Sequence, residues 1–336
     1  MAKTDIKRRG LPTLGGRGQV RKPIPADVVA KIENTALQVD LDLFYQTYSP
    51  NIPAGTHPVA AFIDAIVYPQ TTTDYQTDYS QYNLNSRPDD PNIDPVYPAS
   101  QHQCGLYAPT NVISLSHGLV ERDYPDYYQI RQCNEFMKLA LEGVTIVAAS
   151  GDNGVSDRNS ARCLGPNRNA FVPNYPSCPY VTLVGATELP SGSSPGNPET
   201  APTSGFASGG GFSNIFGQPS YQADAVNSFI TNHNPPFPSY SSLNGSIGAN
   251  GGIYNRIGRA YPDMSANGVN GALVYSQSPT TLGGTSMSTP LVAAIFIRIN
   301  DERLAVGKSP IGFVNPTLYA NPQTFNDITV GDQSLG

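Results

Sequence analysis

Seven consecutive residues, Gly284-Thr285-Ser286-Met287-Ser288-Thr289-Pro290, are suited to presenting a nucleophile on a helix. A serine on the first turn, after a tight glycine turn, presents its Oγ where unpaired backbone N–H groups and the helix dipole favour an anion. Ser288 is small enough for close packing, and Pro290, read as part of the first turn, forfeits no hydrogen bond there. A capping serine is the plainer reading of any one such residue. Five fixed positions at ordinary residue frequencies, however, match by chance only on the order of 10⁻³ in a chain of this length. A second segment, Ser150-Gly151-Asp152-Asn153-Gly154, follows an apolar run. An acid between glycines is commonly an Asx turn. Beside Ser286 it becomes a second candidate for chemistry.

Both segments need elements to hold them. Val112-Ile113-Ser114-Leu115-Ser116, ending at Gly118, reads as a buried strand. Ile130, Cys133, Phe136, Met137, Ala140 and Leu141 recur at helical spacing, which predicts an amphipathic helix of about 17 residues closed by Gly143. Val144–Ala149 and Tyr180–Val184 read as two more buried strands. Strand, helix, strand at this spacing is a βαβ unit, hence a parallel sheet with helices on its faces. Functional residues of such sheets gather at the carboxyl ends of the strands, where Ser116 and Asp152 lie. The Gly-rich corner 208–213 precedes a helix expected from about Pro219 to Ile230. The last helix opens at Gly284-Thr285-Ser286 and is expected to bury Leu291, Ala294, Ile295 and Ile299. The predicted organisation is an irregular basic head, residues 1–39, and one α/β domain, residues 40–336.

Composition removes several classes of function. Charged residues are 14% of the chain against a usual ~25%, which excludes a disordered acidic chain and a basic nucleic-acid binder. With 32 glycines and 31 prolines among 336 residues, turns are many and long helices few. No run approaches the ~18 apolar residues of a membrane span. Residues 1–31 hold eight bases and two acids, within a chain of net charge −6. Without interleaved aromatics this head reads as a solvated tail and not a nucleic-acid arm. No apolar core of roughly 7–15 residues follows it, so it is not a signal peptide. The four cysteines show no CxxC spacing. Cys104–Cys133 with Cys163–Cys178 is the preferred pairing, the two other pairings and four free thiols remaining open. A sequon at Asn244-Gly245-Ser246 points toward secretion.

The Ser286 motif resembles the one shared by subtilisins and by the sedolisin family of serine-carboxyl peptidases. Subtilisins need a histidine opening a helix as His-Gly-Thr, whereas His57 precedes Pro, His102 precedes Gln, His233 precedes Asn and His117 precedes Gly-Leu. Asp64, His117 and Ser286 still fall in subtilisin order and stand as an alternative triad. Ser150–Gly154 favours sedolisins, which place an aspartic acid where subtilisins carry an asparagine. The resemblance extends from about residue 40 to the C-terminus and is to fungal tripeptidyl-peptidases. It includes Arg131–Met137, Ser177–Thr182, Gly210–Ser213, Pro262–Gly268 and Phe325–Thr329. It implies a subtilisin-like α/β fold and removal of tripeptides from free N-termini in acid, through an acyl-enzyme on Ser286 with Asp152 as oxyanion donor. Substrate would lie along the backbone of Ser116, His117 and Gly118, with His117 where the family has tyrosine. A secreted monomer acting on polypeptides, with no nucleic-acid or membrane partner, is further implied. So is a calcium site using Asp327 and the Ile328 carbonyl, oxygen donors that suit a hard cation.

One departure outweighs these matches. The family's base is a glutamate with an aspartate four residues later, which puts both carboxylates on one helix face. A carboxylate base keeps a serine usable near pH ~4, where an unperturbed histidine is protonated. In the frame Gln38-Val39-Asp40-Leu41-Asp42, Gln38 takes the glutamate's place and cannot accept a proton. In the better frame, Asp40–Tyr45 through Thr56–Pro58 precede the missing helix and Ile66–Gln70 follow it. Val59–Ala65 is then too short to hold it, as after a deletion or an error in reading the gene. Either frame leaves the base absent. The chain also begins without the family's leader and propeptide, and the loop carrying the remaining calcium ligands should lie beyond Gly336. A core helix and a metal loop together are expected to be worth as much as the ~5–15 kcal/mol stability of a whole domain. A defective fold and a non-catalytic pseudopeptidase or fragment are therefore the competing expectation.

Overall fold

The computed structural model describes residues 43, 46, 47, 109–116, 119–156, 163–202, 204–233, 235–243, 245–275 and 277–331. The chain divides into two compact units, 1–42 with 51–110, and 43–50 with 111–336, and nearly all the described residues belong to the second. That unit opens with β1 (Val112–Leu115), β2 (Leu119–Val120), α1 (Asp126–Leu141) and β3 (Thr145–Ala149). It continues through β4 (Asn174–Tyr175), β5 (Thr182–Thr187), β6 (Gly211–Gly217) and α2 (Ala223–His233). Next come β7 (Ser239–Tyr240), β8 (Tyr254–Asn255), β9 (Gly258–Tyr261) and β10 (Met264–Asn267). The hairpin β11 (Gly271–Tyr275) and β12 (Ser278–Leu282) leads into α3 (Thr285–Ala305), and α4 (Asn315–Ala320) follows.

Four strands form one parallel sheet in the order β1-β3-β5-β10. Ile113 lies opposite Ile146, Ala148 opposite Leu183, and Met264 opposite Val184. β3 and β5 are buried along their whole length, which is why they read as continuous apolar runs and not as alternation. The smaller pairs β2–β4, β6–β9 and β11–β12 are antiparallel, so the fold is a mixed α/β one. β5 runs 182–187 where 180–184 was predicted, and α2 is preceded by a 3-10 turn at Ser220–Gln222. α1 closes as expected: Gly143, at φ 90°, donates to the Ala140 carbonyl and Val144 to the Leu139 carbonyl. These are the paired bonds of a left-handed glycine cap. Among the described residues no helix is long and apolar enough to cross a membrane.

α3 lies on one face of the sheet, but not by the face expected. Val292, Ala293 and Phe296 pack with Val147, Val184 and Val314, and Val112, Met264 and Ala266 close the cluster. Each such side chain contributes roughly 1.5–3 kcal/mol by leaving water. Leu291, Ile295 and Ile299 instead stand 44%, 50% and 42% exposed, with Ala294 exposed beside them. From 291 to 297 the helix is apolar all round, so periodicity could not choose a side. The small side chains of Ser288, Thr289 and Ala293 let the helix axis approach the strands, and that decides it. Ser288 Oγ then reaches the carbonyls of Ala266 and Asn267 at 2.9 and 3.3 Å.

The disulfide also differs. Cys133 of α1 bonds Cys178, just before β5, with their Cα atoms 5.4 Å apart. Both are buried. The expected pairing of Cys178 with Cys163 followed nearness in sequence, whereas the packing of α1 brings in a cysteine 45 residues away. Cys163 is half-buried and forms no disulfide, and Cys104 lies outside the described residues.

Two buried ionic groups tie loops to the sheet. Arg259 and Asp263 are an ion pair with neither side chain exposed. Arg259 also donates to the Val181 carbonyl, and Asp263 accepts from Leu183 N and Tyr319 Oη at 2.7 and 2.9 Å. Removing one partner of such a pair costs about 3–5 kcal/mol. Glu121, after β2, accepts from the hydroxyls of Ser177 and Ser213 and from Asn214 N at 2.9 Å, joining three segments. Burial pushes its carboxyl up from an ordinary 4.5 to about 7, partly offset by those three donors.

Because the folded chain holds this proton longer than the unfolded one, the contribution to stability is full below pH 4.5 and gone above about pH 7. Urea unfolding should therefore lose on the order of 3 kcal/mol across that interval through this group, and Glu121→Gln should flatten the slope. Peptide mapping without reductant should recover Cys133 joined to Cys178, and reduction should lower stability by roughly 2–4 kcal/mol in the same assay.

Candidate active site

Two segments at the carboxyl ends of parallel strands meet the glycine cap and first turn of α3. Ser116 follows β1, Ser150-Gly151-Asp152 follows β3, and Gly284 precedes α3. Gly284 is the cap, with φ 119° and ψ 161°, a backbone region closed to side chains at modest cost. A Cβ there would also come within 2.8 Å of Asp152 Oδ2. Gly209 is needed for a different reason: an added Cβ would overlap the Ser150 carbonyl. The Gly-rich corner is thereby pressed against the Ser150–Asp152 turn, with Gly209 N donating to the Gly151 carbonyl and Ser150 Oγ to the Gly209 carbonyl, both at 2.7 Å.

Ser286 and Ser116 hold each other. Ser286 Oγ donates to the Ser116 carbonyl at 3.2 Å, and Ser116 Oγ donates to the Ser286 carbonyl at 2.8 Å. The second bond explains Pro290, which is the sixth residue of α3 and not in the first turn. Its missing N–H would have bonded the Ser286 carbonyl, and Ser116 supplies that bond instead. Among the described residues no carboxylate or imidazole is bonded to Ser286. Gln38, Val59–Ala65 with Asp64, and His117, the positions assigned to a base or its replacement, lie outside those residues, as do Gly118 and Asn244.

Asp152 is bound to the same turn. Its Oδ1 accepts from Thr285 N at 2.7 Å and from Thr285 Oγ1 at 2.8 Å. Thr285 is fully buried, and its hydroxyl accepts from Gly151 N at 3.2 Å. Asp152 thus reaches the residue directly before Ser286. It stands at the end of a cleft of about 360 Å³ lined by Phe206, Asn270, Leu282, Gly283 and Gly284. The part played by Thr285 was not legible in the sequence, although its hydroxyl stood inside the motif. Asp327 is exposed and Ile328 half-buried, in a segment joined to the body by Ala201 N donating to the Val330 carbonyl at 2.9 Å. Among the described residues no group of three or more histidine, cysteine, aspartate or glutamate side chains converges. Asp327 and Ile328 therefore offer two oxygens of the roughly six to eight that calcium takes.

Comparison with known proteins gives the family. Over 355 residues the chain is 44% identical to "Aorsin" of Aspergillus oryzae, a match covering 88% of this chain and 54% of that one. It is 43% identical over 347 residues to "Tripeptidyl-peptidase sed1" of Aspergillus fumigatus, with the same coverage. Among solved structures, Pseudomonas sedolisin, a serine-carboxyl proteinase, superposes with a TM-score of 0.52 at 20% identity, over 89% of this chain and 81% of that one. The pattern of the subtilase family matches residues 98–305, more than half of the chain. The chain belongs to the subtilase family. The matched stretch contains Ser116, Asp152 and Ser286, while Asp327 lies beyond it. The chain spans about half the length of the curated relatives it matches.

Gly284→Ala should cost the chain about 1–3 kcal/mol from backbone strain alone. It should also move Asp152 off Thr285. Urea denaturation reads the first effect, and the amide resonance of Thr285 reads the second.

Proposed function

We propose that this chain carries the acylation half of an acid serine-carboxyl peptidase. Ser286 is the nucleophile, and Asp152, protonated in acid, donates a hydrogen bond to the developing oxyanion. One observation carries the reading: Asp152 is fastened to Thr285, so both groups act from a single helical turn. The substrate is a polypeptide whose backbone lies along Ser116, His117 and Gly118, and the products are tripeptides from free N-termini, as the names of the fungal relatives suggest. The step requires a general base: Ser286 Oγ bonds to the carbonyl carbon as its proton passes to that base, and the base returns the proton to the amine as the C–N bond breaks. Helices on both faces of the sheet, secretion, a monomeric state and calcium held partly by Asp327 and Ile328 belong to the same reading. When bound, calcium would brace the segment around Asp327 and take no part in the chemistry.

A second reading follows from the partner of Ser286. Its hydroxyl proton is directed at a backbone carbonyl, which cannot take it, and both alignments of residues 38–70 lack the carboxylate pair. We infer that this chain binds peptides without cleaving them. A chromogenic tripeptide substrate at pH ~4 should be turned over no faster by the chain than by Ser286→Ala. Turnover that Ser286→Ala abolishes would mean that a base is present and would restore an ordinary peptidase.

A further inference from the structure

Asp152 has two oxygens, and the fold treats them differently. Oδ1 accepts two hydrogen bonds from one residue, the N–H and the O–H of Thr285. The direction of the second is settled by Gly151, whose N–H donates to the same Thr285 oxygen and leaves its hydroxyl proton for Asp152. Oδ2 has no hydrogen-bond partner among the described residues. It lies over the bare Cα of Gly284, at the cleft that Asp152 and Gly284 line together. An oxygen facing two donors repels a proton of its own, whereas an oxygen facing open space can carry one.

We propose that Thr285 is a positioning residue that occupies Oδ1 of Asp152, so that the proton used in catalysis resides on Oδ2 and points into the cleft. This rests on the reading of Asp152 as an oxyanion donor and adds which atom does the donating and what orients it. Without the Thr285 hydroxyl the carboxyl would keep one anchor and could rotate, and its proton would be shared between two directions. No charged side chain is bonded to Asp152 among the described residues, and the groups facing it from α3, the Gly151 turn and the residue 204–206 loop are neutral.

The test follows the Asp152 carboxyl by carbon NMR in aspartate-labelled full chain, the resonance being assigned by its loss in Asp152→Asn. Thr285→Val and Thr285→Ala each remove a donor to the ionised form, so both should titrate above the parent. Thr285→Ser should titrate with the parent. Equal midpoints in all four proteins, or a Thr285→Ser midpoint displaced as far as Thr285→Val, would overturn the proposal. Should Val and Ala fail to fold, the parent still decides: the Thr285 hydroxyl proton must exchange slowly enough to be seen, and a fast-exchanging one overturns the assignment. A separate arm compares a peptide aldehyde, which adds Ser286 Oγ to its carbonyl, with the matching alcohol, each one pH unit below the midpoint of the protein used. Thr285→Val and Thr285→Ala should lose about tenfold in aldehyde affinity and none for the alcohol, with Thr285→Ser as the parent. A parent that binds aldehyde and alcohol alike would refute the peptidase reading while the carboxyl titration still judged Thr285.

Discussion

The N-terminal turn of α3 is held at the carboxyl edge of the parallel sheet by exchanged hydrogen bonds, and everything proposed for this chain depends on that junction. Ser116 closes the hydrogen-bond gap that Pro290 leaves, and Asp152 accepts both donors of Thr285. A helix start ordinarily turns its free N–H groups to water or to a ligand. Here one of them is given to a carboxyl from another strand, and the price is a glycine at 284 with backbone angles no other residue adopts cheaply. The position of Ser286 is thus set by two strand ends at once, more tightly than a loop could set it.

The rest of the fold reads as support for this contact. α3 covers one face of β3 and β5 with Val292, Ala293 and Phe296, and its close approach lets Ser288 dock on the end of β10. The buried Arg259–Asp263 ion pair and the buried Glu121 carboxyl tie loops to the sheet, an expensive device in water-free surroundings unless every oxygen finds a donor. Glu121 keeps its proton up to about pH 7, which suits a protein at ease in acid. Its three donors come from segments far apart in the chain, so its protonation state is tied to the assembly of the whole layer.

Much of the architecture was legible from local patterns. The apolar runs at 112–115 and 145–149 marked strands, and the three-and-four spacing from 130 to 141 marked α1. A glycine turn before Thr285-Ser286 marked a helix start. What failed did so for identifiable reasons. The buried side of α3 was misjudged because 291–297 are apolar on every side. The disulfide was misjudged because spacing along the chain says nothing of what a packed helix brings near. Pro290 was put in the first turn because a motif does not reveal which carbonyl will lose its partner.

Ser286, Asp152 and the parallel sheet that carries them could be named from the amino-acid order alone, since a glycine–serine helix start and a buried run followed by Ser-Gly-Asp are local events. Which oxygen of Asp152 is clamped, which serine answers Pro290, and which cysteine meets Cys178 were decided only in three dimensions. Each of these is a contact between residues 45 to 170 positions apart. No local propensity encodes such a contact, because it exists only once the sheet has brought its strand ends under α3.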